Sequence, residues 1–287
     1  MQIAITGANG FIGSHLVRAI LGQGDVPVAI NRTGTPSAEP GAAIARAGGD
    51  CSDAQLLAAA FAGCSCVVHL ADSPLRHRKG LSAHTAADRA AAIVSAMQLA
   101  GTSRIIYASS IYARPGLRSA SVYGQSKSRA EDVFAGFGFV VPIILRLPPV
   151  YGEGGGGGYA LLERAVRCGL PLPFSNMTAH RSYLDVQALS RLILHLLALS
   201  NDAWDRVAAA GPIEPSDGPP MGTADLVRTI AAKYGRQASL FPLPTKLGSL
   251  GRLVGFDMRS LSRPLVAQDP QEVEQITGWR ADAPLSR

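Results

Sequence analysis

Residues 2–13 read Gln2-Ile3-Ala4-Ile5-Thr6-Gly7-Ala8-Asn9-Gly10-Phe11-Ile12-Gly13, and they leave the chain little choice of fold. An apolar run of strand character leads into glycines spaced three apart. Residues 14–21 then carry apolar side chains at helical spacing. Strand, glycine turn and helix in this order predict the first βα unit of a parallel sheet. Gly7 permits a tight turn, Gly10 lets backbone approach a pyrophosphate, and Gly13 lets the helix sit close on the strand. The helix start presents N–H groups and a positive dipole end to phosphate oxygens. Gly7, Asn9, Gly10, Phe11, Ile12 and Gly13 are therefore candidate dinucleotide-binding residues, although the spacing is G-x-x-G-x-x-G rather than G-x-G-x-x-G.

Alternating strand and helix patterns continue to about residue 150 and predict an α/β fold, a doubly wound parallel sheet of Rossmann type. Candidate strands lie at 2–5, 27–30, near 45–48, and at 66–70, 104–108 and 142–147, with helices at 83–100 and 122–135. The expected dinucleotide-binding domain is 1–151, with 181–210 returning to it. A smaller, discontinuous substrate lobe takes 152–180 and 211–287. The glycine run 154–158 predicts a loop over the substrate, with periodic structure resuming at Tyr159. Thr223 reads as the N-cap of a helix in the lobe.

The chemistry-bearing pattern is Tyr123-Gly124-Gln125-Ser126-Lys127, with Ser109-Ser110 upstream. Residues four apart on a helix share a face, so a phenol and an ammonium can address one ligand. An ammonium beside a phenol favours the phenolate, and a serine hydroxyl can hold a substrate oxygen next to it. Together they form the parts for proton exchange with a carbinol.

Gly7-x-x-Gly10-x-x-Gly13 with Tyr123-x-x-x-Lys127 resembles the extended short-chain dehydrogenase/reductase family, in its nucleotide-sugar epimerase/dehydratase/reductase branch. The likeness continues through Gly49-Asp50, Val67-Val68-His69-Leu70-Ala71, Arg104 to Ser110, Leu145 to Gly152, Arg181 to Val186, and Gly278-Trp279. It implies catalytic roles for Ser110, Tyr123 and Lys127, with Ser109 the alternative hydroxyl. Asp50, Cys51, Leu70, Ala71 and Lys127 join the expected cofactor contacts, and Arg181, with Ser110 and Tyr123, the substrate contacts. Two departures matter. Asp88 stands near the place of the family's usual Asn, and no Asp-Glu pair follows the serine, which argues against dehydration.

The residue that meets the ribose 2′-hydroxyl is expected ~20 residues beyond the turn. Asn31-Arg32-Thr33 stands there without a carboxylate, and Arg32 suits a 2′-phosphate. NADP(H) is expected in preference to NAD(H), which Asn31 could still serve. The resemblance then implies NADPH-dependent reduction of a 4-keto nucleotide-diphosphate sugar. A C4-epimerase is the alternative and a non-catalytic dinucleotide sensor the second.

Composition adds limits. The charge of +6 comes without a basic run or a nucleic-acid-binding motif, so anionic small molecules explain it better than nucleic acid. Cys51, Cys64, Cys66 and Cys168 lack zinc or C-x-x-C spacing, and the histidines form no metal cluster, so no metal is expected. The apolar helix at 189–199 is broken by Arg191 and His195 and is too short for a bilayer. The expectation is a cytoplasmic enzyme without membrane insertion. The resemblance also implies a homodimer, through helices 83–100 and 122–135. Ala86, Ala87, Ala90, Ala91, Ala92 and Ala96 would give the first of these a small-residue surface.

Overall fold

The computed structural model of the protein describes residues 1–31, 51–71, 85–118, 121–242 and 263–281. Arg32, Asp50 and the expected strand near 45–48 lie outside the described residues. Strands β1 (Gln2–Thr6), β2 (Val26–Ile30), β3 (Cys66–His69), β4 (Arg104–Ser110) and β5 (Val141–Leu147) form a five-stranded sheet in the order β2-β1-β3-β4-β5. Every pairing is parallel. Ile3, Ala4, Ile5, Val67, Val68, Ile105 and Ile106 are fully buried in succession, as a sheet covered on both faces requires. Ile213 adds one further parallel bridge beside Leu145.

The helices begin where the sequence can satisfy their first N–H groups. Helix α1 (Phe11–Gly22) follows the glycine turn. Asp53 caps α2 (Ala54–Phe61), and Thr85 forms a capping box with Asp88 at the start of α3 (Ala86–Ala100). Asp88, read from sequence as near the place of the usual Asn, thus has a local structural partner. Ser121 caps α4 (Val122–Gly136), its hydroxyl accepting from the Gly124 N–H at 3.1 Å. Ala86, Ala90 and Ala96 are buried in the protein's own core with Ile93, Tyr107 and Phe134. Of the expected alanine surface only Ala91 is exposed, with Ala87 and Ala92 half-buried.

The chain divides into two compact units. The first comprises Met1–Leu147, Leu189–Glu214 and Val273–Trp279; the second comprises Pro148–Ala188, Pro215–Glu272 and Arg280–Arg287. Residues 273–279, read from sequence as lobe, group with the first unit, where His195 Nε2 lies 2.8 Å from the Thr277 carbonyl oxygen.

The second unit holds β6 (Val150–Tyr151) parallel to β7 (Leu184–Asp185), and helix α5 (Gly157–Arg167). Helix α6 (Val186–Leu197) starts three residues earlier than the apolar pattern implied, because Asp185 Oδ1 caps it through the Gln187 and Ala188 N–H groups at 2.8 and 3.1 Å. Helix α7 (Asn201–Ala209) follows in the first unit. Helix α8 (Thr223–Lys233) packs on α5 through Leu162, Val166, Leu226 and Ile230. Helix α9 (Pro270–Thr277) is the last described helix.

Two sequence expectations change here. Gly157 and Gly158 already belong to α5, so the glycine run ends as a helix start rather than wholly as loop. The N-cap of α8 is Gly222, and Thr223 is its first helical residue, fully buried. Among the described residues no helix is long and apolar enough to cross a membrane.

A buried carboxylate ties the second unit together. Asp217 Oδ2 accepts from the Tyr151 hydroxyl at 2.7 Å and from the Asp185 N–H at 2.6 Å. Burial pushes the Asp217 carboxyl up from 3.8 to about 6. Between those values the unfolded chain has released this proton and the folded chain still holds it. The group's contribution to stability therefore falls as pH rises through that window and is level above it. Asp217→Asn keeps one acceptor oxygen and carries no charge. Relative to Asp217→Asn, the wild type should lose on the order of 2 kcal/mol between pH 4 and pH 7. Urea unfolding at the two pH values measures this, and a gap independent of pH would contradict it.

Candidate active site

The glycine turn closes tightly at the C-terminal end of β1. Gly7 has φ +75°, a left-handed conformation that a side chain would strain, and a Cβ there would come within 3.0 Å of the Ala71 and Leu70 backbone. At Gly13 a Cβ would stand 2.2 Å from the Gly7 carbonyl oxygen, so only glycine lets α1 approach the turn this closely. Gly10 is the N-cap of α1 and gives it no side-chain cap, and no acidic residue sits in its first turn. The positive end of this helix thus has no side-chain cap from Gly10 and no carboxylate in its first turn, which suits an anion. A Cβ-free cradle and an uncapped helix start fit the pyrophosphate of a dinucleotide.

The walls of the turn come from neighbouring strands. The Gly7 N–H donates to the Ile30 carbonyl at 3.1 Å, beside Asn31, which is buried at the end of β2. The Leu70 N–H donates to Thr6 through both its carbonyl, at 3.1 Å, and its hydroxyl, at 3.3 Å. Thr6 Oγ1 also lies 2.6 Å from His69 Nδ1. β1 has β2 on one side and β3 on the other, so the turn sits where connections leave the sheet in opposite directions, the usual ligand crevice of such sheets. Cys51 is buried with φ +56°.

The candidate acid–base residues belong to the same unit. Lys127 is 2% exposed, and its ammonium donates to the Ala108 carbonyl at 2.7 Å. The ammonium lies 4.8 Å from the Tyr107 ring centre and 5.9 Å from that of Tyr123. Tyr123 is half-buried in the first turn of α4, one helical turn before the lysine. The buried cation is thus held by a carbonyl and an aromatic face, with the Tyr123 ring nearby.

The two serines have different surroundings. The Ser109 hydroxyl donates to Glu131 Oε1, a carboxylate already engaged by the Arg146 guanidinium. Ser110 caps the short turn Ile111–Ala113, its Oγ accepting from the Tyr112 N–H at 3.4 Å. Successive residues of a strand face opposite sides, so the two hydroxyls meet different partners.

Sequence reasoning missed Glu131. It stands four residues beyond Lys127 and eight beyond Tyr123, so helical periodicity alone places it on their face. Tyr107, a β4 residue, stacks its ring on His69 at 5.5 Å and meets Phe134 at 4.9 Å, beneath the Lys127 ammonium. In the second unit, Arg181 is 4% exposed and donates from Nη1 to the Arg263 carbonyl at 3.2 Å. Its backbone is bonded in both directions to Met221 at 3.0 Å, so the position is fixed. The described cysteines are free; burial pushes the Cys64 and Cys66 thiols up, and only Cys168 is exposed.

The profile of the NAD dependent epimerase/dehydratase family matches residues 3–207, and the chain belongs to that family. A UDP-glucose 4-epimerase of Vibrio cholerae is 30% identical over 165 residues, covering 55% of this chain and 48% of that protein. The chain therefore spans about half the length of this relative. A ceramide reductase of Caulobacter vibrioides is 29% identical over 247 residues, covering 84% of this chain and 73% of that protein. The Bordetella bronchiseptica enzyme WbmG, solved with NAD and UDP, superposes with a TM-score of 0.72 at 21% identity, covering 100% of this chain and 92% of that one. At that identity the superposition establishes the α/β fold.

Removing the Tyr123 hydroxyl leaves its ring and the lysine in place. Tyr123→Phe is expected to lower the rate ~10²–10⁴-fold with dinucleotide affinity nearly unchanged. Lys127→Ala should weaken both rate and dinucleotide affinity. Steady-state turnover and fluorescence titration with reduced dinucleotide measure the two quantities, and a Tyr123→Phe enzyme of near-normal rate would contradict the assignment.

Proposed function

We propose that the protein is an NAD(P)-dependent oxidoreductase of a nucleotide-diphosphate sugar, and specifically a reductase of a 4-keto sugar. The observation that carries this reading is the buried Lys127 ammonium, 2.7 Å from the Ala108 carbonyl and one helical turn from Tyr123, in the same unit as the glycine cradle. Gly7, Asn9, Gly10, Phe11, Ile12, Gly13, Asn31, Leu70 and Ala71 line the dinucleotide, with Cys51, Arg32 and Asp50 assigned on sequence grounds. A bound nicotinamide would supply the hydride to C4. Tyr123 gives its proton to the C4 oxygen, Ser110 holds that oxygen by a hydrogen bond, and Lys127 stabilises the phenolate left behind. Ser110 is assigned over Ser109 because the Ser109 hydroxyl serves Glu131. The first unit takes the dinucleotide and the second the sugar nucleotide, with Arg181 contacting the diphosphate.

Reduction is also the activity in the name of the relative that aligns over the larger share of the chain. C4-epimerisation is the second reading, supported by the relative from Vibrio cholerae. Both use the same three side chains. NADP(H) is preferred on the strength of Arg32, and a guanidinium suits a 2′-phosphate. A homodimer through α3 and α4 rests on the exposed Leu99 and Val122 they carry; sedimentation equilibrium should find twice the chain mass of 29.9 kDa.

Two substrates separate the readings. UDP-4-keto-6-deoxyglucose should consume NADPH absorbance, and UDP-glucose should yield little UDP-galactose. The reverse pattern makes the protein an epimerase, and binding of both dinucleotides without turnover makes it a sensor. NADPH should bind more tightly than NADH; the opposite order removes Arg32 from the site. Arg181→Ala should raise KM for the sugar nucleotide far more than KM for the dinucleotide.

A further inference from the structure

We propose that Glu131 and Ser109 are positioning residues that set the register of the Tyr123–Lys127 helix on the sheet. The inference rests on the acid–base reading of that pair, and its evidence is a buried polar cluster the reaction itself does not use. Tyr123, Lys127 and Glu131 follow one another at four-residue intervals along one face of α4. Glu131 is 5% exposed, and its carboxylate is fully engaged. Arg146 Nε donates to its two oxygens at 3.1 and 3.2 Å, Arg146 Nη2 donates at 2.7 Å, and the Ser109 hydroxyl donates to Oε1. Ser109 and Arg146 are directly paired residues of neighbouring strands β4 and β5. One helical carboxylate therefore staples two strands at a single level of the sheet.

That level is next to the chemistry. Three successive residues of β4 grip α4: the Tyr107 ring under the Lys127 ammonium, the Ala108 carbonyl accepting from it, and the Ser109 hydroxyl on Glu131. The fourth is Ser110. Holding Glu131 to Ser109 fixes how far Ser110 lies from Tyr123 along the helix axis. The apolar seat of α4, with Ala130 and Phe134 buried, gives adhesion but no register, since a sliding helix can exchange one apolar contact for another. A buried ion pair is a poor source of stability and a good source of specificity, because any shift leaves a desolvated charge unpaired. Active-site chemistry is sensitive to such a shift: ~1 Å of displacement costs ~10²-fold in rate.

Ser109→Ala, Ser109→Thr, Glu131→Gln and the double variant Ser109→Ala/Glu131→Gln test this with UDP-4-keto-6-deoxyglucose or UDP-glucose, whichever the wild type turns over. Thermal melts and NADPH affinity are measured on each. Ser109→Ala and Glu131→Gln should each lower kcat ~10–100-fold. Their KM and NADPH affinity should stay within about twofold of wild type. Ser109→Thr, which keeps the hydroxyl, should restore most of the rate. The double variant should be little worse than either single one, since both break one contact. Should Glu131→Gln fail to fold, Ser109→Ala and its threonine rescue decide alone. Rates within twofold of wild type in folded Ser109→Ala overturn the proposal and leave the acid–base reading standing. A wild type whose rate is indifferent to Tyr123→Phe sinks that reading instead, and this proposal with it.

Discussion

Five strands running in one direction bring every strand-to-helix turn to a single edge of the sheet, and the candidate site is a consequence of that constraint. The glycine turn after β1, Leu70 and Ala71 after β3, and Ser110 at the end of β4 come from distant parts of the chain. Parallel pairing puts them on one edge: β1, β2 and β3 end in register at Thr6, Ile30 and His69, and β4 and β5 run three residues further, to Ser110 and Leu147. Crossover connections also bury both sheet faces, which is why Ile3 to Ile5, Val67-Val68 and Ile105-Ile106 are apolar without alternation. The polar functional groups are left only the edge.

Lys127, Glu131 and Asp217 enter the core as charged side chains, and each is matched by fixed partners. The Lys127 ammonium meets a carbonyl and a tyrosine ring, the Glu131 carboxylate meets Arg146 and Ser109, and Asp217 meets Tyr151 and the Asp185 N–H. Each ties elements that apolar contact alone would leave free to slide. In the second unit this tie carries a titration: burial pushes the Asp217 carboxyl up to about 6 and the Tyr151 hydroxyl up as well, so at neutral pH the carboxylate is ionised and the phenol donates to it.

Membership of the NAD dependent epimerase/dehydratase family narrows the chemistry without choosing the reaction. The proposed acid–base residues Ser110, Tyr123 and Lys127 serve a reductase and an epimerase alike. Ser110 is followed by Ile111 and Tyr112 rather than by an Asp-Glu pair, which is why the proposed reading sets dehydration aside. Asp88, near the place of the family's usual Asn, closes a capping box with Thr85 through its own carboxylate. That departure has a local structural reason and needs no catalytic one.

The sequence by itself determined what is local. A strand, a glycine turn and a helix are fixed by neighbouring residues, and so is the four-residue interval that puts Tyr123 beside Lys127. These were legible because backbone sterics and helical periodicity act over a few residues. Caps were less so: Gly222 rather than Thr223 is the N-cap of α8, and Gly157 already belongs to α5, because neither helix start is set by a local side-chain cap that the sequence could reveal. Only the tertiary structure decided the partners across the sheet. That Ser109 faces Glu131 while Ser110 does not, that Arg146 lies opposite Ser109, that Tyr107 supports Lys127 and that Asp217 holds Tyr151 all depend on strand order and register. Those are set by burial summed over the whole core, and no single stretch of sequence contains them.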